Sequence, residues 1–443
     1  MSEMLLRQAM QCVRDGKQGE AVRLFGEVLK LDPKRFEALM GLGVLQYRGG
    51  QLLEAENFLS AAVKAKPSAP DAHYNLGSLY ARQGRFEDGL RHLDKAVSLK
   101  SDYIEAIANR ANILAQQGRY ALASEDYRRV LPMRPNIAEL WISLGGALAK
   151  QKRLREARDA IEKGLGLQRG VAQGWQILGT VRSLLLDHEG AVTAFNEALR
   201  LKPDDSTALF GRAGAFMFLR RYKEAGADYK KLQTLGPMPN YAEGDLILCY
   251  LFECQWDGIE THRAALRAHV LSGQRAASPL ASIAAGWTES VDDLRLAAEI
   301  MAKDSITPSL QLLHNGEIYR HEKIRLAYLS ANFNNHAVAR LIAGVFEHHD
   351  KRNFDIIAVS SGDGDRDELR ARIQKSSSQF IDIRGMSDDD AAKRLRALET
   401  DVAVDLMGYT ENCRVEILAH RPAPVQVNFL GYPGTDRKST RLN

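Results

Sequence analysis

Apolar and small residues recur along the first half of the chain with one long period. Small side chains stand at Ala21, Ala55, Gly89, Ala123, Ala157, Ala191 and Ala225, every 34 residues. Four positions after each comes a large one: Phe25, Leu59, Leu93, Tyr127, Ile161, Phe195 and Tyr229. Prolines at 33, 67, 135, 203 and 237 keep the same phase, with Ser101 and Arg169 filling the two gaps. Within each period the pattern predicts two antiparallel helices. A glycine or alanine lets the pair approach closely, and the large residue fills the groove between them. Proline then ends the second helix because it has no N–H to continue it.

A 34-residue period of this kind is that of the tetratricopeptide repeat. Its first-helix signature reads Trp141-x-x-Leu144-Gly145, Trp175-x-x-Leu178-Gly179 and His73-x-x-Leu76-Gly77-x-x-Tyr80. Seven repeats over residues 1–237 predict an all-α superhelix with a groove for an extended peptide or a partner helix. The sixth position of each repeat should face that groove; it holds Arg7, Gly41, Asn75, Asn109, Ser143, Ile177 and Gly211. Asn75 and Asn109 are candidate acceptor-binding residues, since an amide both donates to and accepts from a peptide backbone. Two solvated asparagines on a spacer or a self-pairing module are the plainer alternative.

Residues 238–320 lose the 34-residue phase and read as a helical adapter, with apolar positions at Leu246, Leu251, Ile259 and Leu266, a break at Ser278-Pro279, and a short helix over 290–303. From His321 the pattern alternates. Strand-like runs at 323–331, 354–361, 380–384, 402–408 and 425–431 are separated by helical stretches at 336–349, 368–375, 388–398 and 411–420. Alternation of this sort predicts a parallel sheet covered on both faces, a Rossmann-like α/β lobe over 321–435. Ligands of such sheets bind beyond the C-terminal ends of the strands. The loops there are SANFNNH, MGYTENCR and LGYPGT.

Composition narrows the classes. A net charge of +4 without a basic block argues against nucleic acid. Cys12, Cys249, Cys254 and Cys413 stand apart, which argues against zinc sites and disulfides and suits a reducing cytoplasm. No apolar run reaches the roughly 20 residues of a membrane span. No GxGxxG, GxxxxGK[ST] or HExxH is present, so dehydrogenase, P-loop and zinc-hydrolase readings lack a motif. One histidine, His336, stands at the mouth of the expected sheet.

The run RPAPVQVNFLGYPGT (421–435), with LSANFNNHAVA (329–339) and DLMGYT (405–410) followed by Arg414, resembles the protein O-GlcNAc transferase family, which includes SPINDLY-type enzymes. Phe429 stands where the family commonly has tryptophan. The resemblance implies the first lobe of a two-lobed glycosyltransferase that moves GlcNAc from UDP-GlcNAc to Ser or Thr of proteins, without a metal or cofactor. GDP-fucose is the other donor it admits. It places His336 at the active-site histidine, as general base or as a sugar or acceptor contact. Leu430, Gly431 and Pro433 would lie against the donor sugar. Asn332, Tyr409, Thr410, Arg414, Tyr432 and Thr435 would line the cleft. Asn332 departs from the usual Asp and Val338 from the hydroxyl of some members. After Thr435 the sequence reads DRKSTRLN (436–443), unlike the family's second lobe. The expectation is therefore a truncated chain, inactive by itself, whose repeats select acceptor proteins. The alternative is a non-catalytic repeat scaffold, with self-association through the repeats left open.

Overall fold

The computed structural model describes residues 1–306, 312–362, 367–410 and 412–430. They form two compact units, divided between Arg220 and Arg221.

The first unit is built of helix pairs. They are α1 (Ser2–Arg14) and α2 (Gln18–Leu31), α3 (Phe36–Arg48) and α4 (Leu52–Ala65), and α5 (Pro70–Arg82) and α6 (Phe86–Leu99). Next come α7 (Ile104–Gln116) and α8 (Tyr120–Val130), α9 (Ala138–Lys150) and α10 (Leu154–Leu167), and α11 (Ala172–Leu184) and α12 (His188–Leu201). Helix α13 (Ser206–Phe218) ends the unit. The small residue of each first helix is what permits the pairing. A Cβ on Gly43 would come to 2.6 Å from the Leu59 side chain, and one on Gly77 to 2.9 Å from Leu93. The large residues Phe25, Leu59, Leu93, Tyr127, Ile161 and Phe195 are all buried. First helices of successive repeats also touch one another, α5 to α7 and α9 to α11 among them. They thereby form one continuous face of a superhelix.

The second unit opens with α14 (Tyr222–Leu235), α15 (Ala242–Phe252), α16 (Ile259–Leu271), α17 (Pro279–Ala285) and α18 (Val291–Ser305). Here the geometry outlasts the sequence signature. In the first unit His188 stacks on Phe218 at 4.5 Å; exactly one period later in number, Tyr222 stacks on Phe252 at 4.2 Å. Arg220 and Cys254, again 34 apart, both take positive φ after the helix that precedes them. The hairpin α15–α16 thus continues the period past residue 237. Its signature is lost because Ile247 and Ile259, both buried, occupy positions that hold Ala213 and Ala225 one repeat earlier. Trp287 and Leu266 anchor a core shared by α15 to α18.

Five strands follow: β1 (Ile324–Ser330), β2 (Phe354–Ser360), β3 (Gln379–Asp382), β4 (Val402–Asp405) and β5 (Val425–Asn428). They are joined by α19 (Ala337–His348), α20 (Glu368–Ser376), α21 (Asp388–Ala397) and α22 (Glu416–Ala419). All pairings are parallel and the order is β3-β2-β1-β4-β5. Alternate strand residues serve opposite faces. Ala327, Leu329, Ile357, Val359 and Ala403 pack with α21 and α22; Tyr328, Ile356, Ala358 and Val404 pack with α19 and α20. Burial on both faces explains why these strands read as continuous apolar runs. Several expected elements are shorter than the sequence suggests, the strand of 425–431 among them, which ends at Asn428. The helix of 411–420 is the single turn of α22. Strand β4 stops at Asp405, because that side chain folds back on the backbone N–H groups of Met407 and Gly408.

Among the described residues no helix is long and apolar enough to cross a membrane.

Candidate functional site

Strand order fixes where a ligand can lie. The chain leaves β1 toward α19 on one face and leaves β4 toward α22 on the other, and β1 and β4 are neighbours. Their diverging connections open a crevice at the C-terminal ends, the switch point of an open parallel sheet.

On the β1 side, Ser330 is buried and its Oγ accepts from the Asn332 backbone N–H at 2.9 Å. The Ser330 hydroxyl and the Asn332 amide both donate to Met407 Sδ at 3.4 Å. One thioether thus ties the loop after β1 to the loop after β4. A thioether only accepts, and weakly. Asparagine at 332 supplies it with a hydrogen, which an ionised aspartate could not.

His336 is the N-cap of α19. Its Nδ1 accepts from the Val338 N–H at 3.1 Å, while its ring is exposed. Because the partner is a backbone donor, the hydrogen of the neutral ring is on Nε2. Arg340 donates to Asn335 Oδ1 at 2.7 Å and helps order the same loop.

On the β4 side, Asp405 accepts from the N–H groups of Met407 and Gly408, each at 2.9 Å, and from the Asn428 amide at 3.2 Å. Burial pushes its carboxyl above the usual range, opposed by those three bonds. Gly408 takes φ +57°, which lets the chain reverse there. Thr410 closes the turn, its hydroxyl donating to the Met407 carbonyl at 2.9 Å. Tyr409 is half-buried, and burial raises its phenol, with Cys413 and Asp405 adding to the effect. The Phe429 N–H donates to the Asp405 carbonyl at 2.8 Å. That brings Leu430, 42% exposed and at φ +61°, to the same end of the sheet. Gly431, Tyr432, Pro433 and Thr435 lie outside the described residues.

Arg414 is placed differently from a residue turned to a ligand. Its guanidinium donates to Asp388 Oδ1 at 2.5 Å, the Ile383 carbonyl at 2.7 Å and the Met386 carbonyl at 2.8 Å. It pins the loop after β4 to the loop after β3. Asn75 and Asn109 belong to the repeat unit. Asn75 donates to the Asp71 carbonyl at 2.7 Å and Asn109 to Ser78 Oγ at 2.9 Å.

Sequence reasoning passed over Ser330, Met407, Asn428 and Arg370. The first and third carry a signal, since each is a polar residue closing an apolar strand run. Arg370 carries none. It is 5% exposed, donates to Ser360 Oγ at 2.7 Å and to Asp382 at 3.2 Å, and lies over the Phe380 ring.

A repeat superhelix with a switch-point α/β lobe defines a repeat-bearing protein of the Rossmann-like class. Residues 296–440 match glycosyl transferase family 41. Residues 7–70, 68–136, 109–172 and 185–237 match the tetratricopeptide repeat. The chain thus carries tetratricopeptide repeats followed by a segment that matches glycosyl transferase family 41. It is 36% identical over 114 residues to a probable UDP-N-acetylglucosamine–peptide N-acetylglucosaminyltransferase SEC of Arabidopsis thaliana, covering 26% of this chain and 12% of that one. It is 30% identical over 115 residues to the UDP-N-acetylglucosamine–peptide N-acetylglucosaminyltransferase of Caenorhabditis elegans, covering 26% of this chain and 10% of that one. The matched segments therefore span about a tenth of the length of these relatives. A solved O-GlcNAc transferase mutant of Thermobaculum terrenum aligns with 74% of this chain and 50% of its own, at 20% identity and a TM-score of 0.29.

Proposed function

We propose that residues 321–430 form the acceptor-side lobe of a protein glycosyltransferase that moves GlcNAc from UDP-GlcNAc to Ser or Thr hydroxyls, with the repeats selecting the acceptor. The observation that supports this reading is the family 41 match lying over a parallel α/β lobe with β1 and β4 adjacent, whose loops after those two strands carry the family-like residues.

The lobe's residues suggest a division of labour. Asp405, Ser330, Met407 and Asn428 hold the two loops at fixed spacing, which is the preorganisation transfer needs. His336 leaves its Nε2–H exposed while Nδ1 is engaged by the helix. That arrangement suits donation to a sugar or acceptor oxygen better than removal of a proton from it. The lobe by itself supplies one wall of a cleft, so sugar transfer is expected only when a donor-binding wall faces it.

The test uses His336→Asn. Asparagine keeps the N-cap and removes the imidazole. Transfer of labelled GlcNAc by an assembly containing this lobe should fall by about a hundredfold, with helix content unchanged. Wild-type transfer rates in that variant would remove His336 from the reaction. Binding of an acceptor protein without any binding of UDP-GlcNAc would favour the scaffold reading instead.

A further inference from the structure

The first unit contains a cavity of about 540 Å³ on the face made by the first helices of its repeats. It is lined by α9 and α11 together with Gln116 of α7 and Tyr120 and Tyr127 of α8, and the sixth-position residues Ser143 and Ile177 both line it. Gly146 opens it. Its neighbour Gly145 is demanded by packing, because a Cβ there would overlap Ile161. A Cβ on Gly146 would meet only Ile177 Cδ1, at an ordinary 3.7 Å. Glycine inside a helix costs about 1 kcal/mol relative to alanine, and no close neighbour at 146 requires it. What glycine provides there is space.

The chemistry of the walls is neutral in the middle and charged at two ends. Ile177 and Leu184 are apolar, and Ser143 and Gln173 offer a hydroxyl and an amide to a peptide backbone. The charged lining residues are Glu139, in the first turn of α9, and Lys150, in its last. Eleven helical residues separate them by about 16 Å, which an extended chain spans in about five residues.

We infer that this cavity is a socket for an apolar side chain of an extended peptide, with a basic residue of that peptide beside Glu139 and an acidic one beside Lys150. The inference deepens the acceptor-selection role proposed above and rests on that reading for the peptide's identity as substrate. A void lined by side chains, floored by a helix and flanked by opposite charges recognises a peptide of matching pattern.

Fluorescence anisotropy on the 443-residue chain tests it, with labelled nine-residue peptides carrying Lys and Glu five positions apart and Leu midway, made in both orders. One order should bind at least tenfold more tightly than the other. Replacing the peptide Leu by Ser should weaken it at least tenfold, and so should Gly146→Phe, which fills the socket from a position with room for a side chain. Glu139→Lys with Lys150→Glu should exchange the preferred order. Circular dichroism melting checks that Gly146→Phe folds, which its helix propensity favours. Equal affinity for the Leu and Ser peptides, unchanged affinity in Gly146→Phe, or no binding by either order overturns the socket. So does sedimentation showing self-association that Gly146→Phe abolishes, since the occupant is then a second copy. Binding is read without nucleotide sugar. A chain that binds as stated, while an assembly that adds a donor-binding wall to its lobe supports no transfer, sinks the proposed function and leaves the socket standing.

Discussion

The Asn428 amide donates to Asp405 Oδ2 at 3.2 Å, joining the ends of two adjacent parallel strands. The same carboxylate holds the Met407 and Gly408 N–H groups, both in buried residues. Asp405→Ala leaves those donors without a partner. An unpaired buried group costs about 1–3 kcal/mol, so urea unfolding of the lobe should show a loss of about 2–3 kcal/mol. A loss below a few tenths would mean that water replaces the carboxylate freely.

Asp245 on α15 receives the Tyr229 hydroxyl at 3.2 Å, and burial pushes its carboxyl up to about 6. The folded state therefore holds this proton more tightly than the unfolded chain does. The stability gained is fully present below about pH 4 and is lost as pH rises through about 6. Asp245→Asn keeps an acceptor for Tyr229 and cannot ionise. At pH 7.5 it should raise stability by about 1–2 kcal/mol, discounted for the side chain's partial exposure. The two proteins should melt together near pH 4; an offset that does not change with pH would reject the ionisation argument.

The turns between paired helices place Gly16, Gly50, Gly84 and Gly118 at φ +74° to +80°, but Lys152, Leu186 and Arg220 occupy the equivalent positions at φ +63°, +64° and +57°. A left-handed non-glycine residue costs about 1–2 kcal/mol, partly offset in glycine by its freer unfolded chain. Leu186 is 73% exposed and contributes little packing. Leu186→Gly should stabilise the repeats by about 0.5–1 kcal/mol, read as a higher melting temperature. A lower one would show that the leucine makes contacts worth more than its strain.

His321 sits between Glu399, at 2.8 Å, and Asp401, at 3.1 Å. Glu399 first and Asp401 second raise its pKa. Its contribution is present below the unfolded value of about 6.5 and disappears as pH rises through the higher folded value. His321→Gln should therefore lower the melting temperature at pH 5.5 more than at pH 9. The same loss at both values would point to packing rather than charge.

Much of the lobe was legible before any coordinates. The run 402–408 read as a buried strand because apolar residues without a solvent face leave a plain run; that it ends at Asp405 was not legible, since the end is set by where that side chain folds. The role of Arg414 was not legible. Its partners Ile383, Met386 and Asp388 lie about thirty residues away, and no local pattern reports which loop an arginine will reach. The α15–α16 hairpin hid for the opposite reason. Its backbone kept the period after Ile247 and Ile259 had replaced the small residues by which a repeat is recognised.

The sequence by itself determined the helix pairs, their 34-residue phase and the alternation of strands and helices, since each is written in burial that repeats along a short stretch of chain. Tertiary structure decided the strand order that sets β1 beside β4, the engagement of His336 by its own helix, and the void above Gly146. Those depend on which distant surfaces meet and on what space is left between them, and free energy of that kind belongs to pairs of segments rather than to either segment alone.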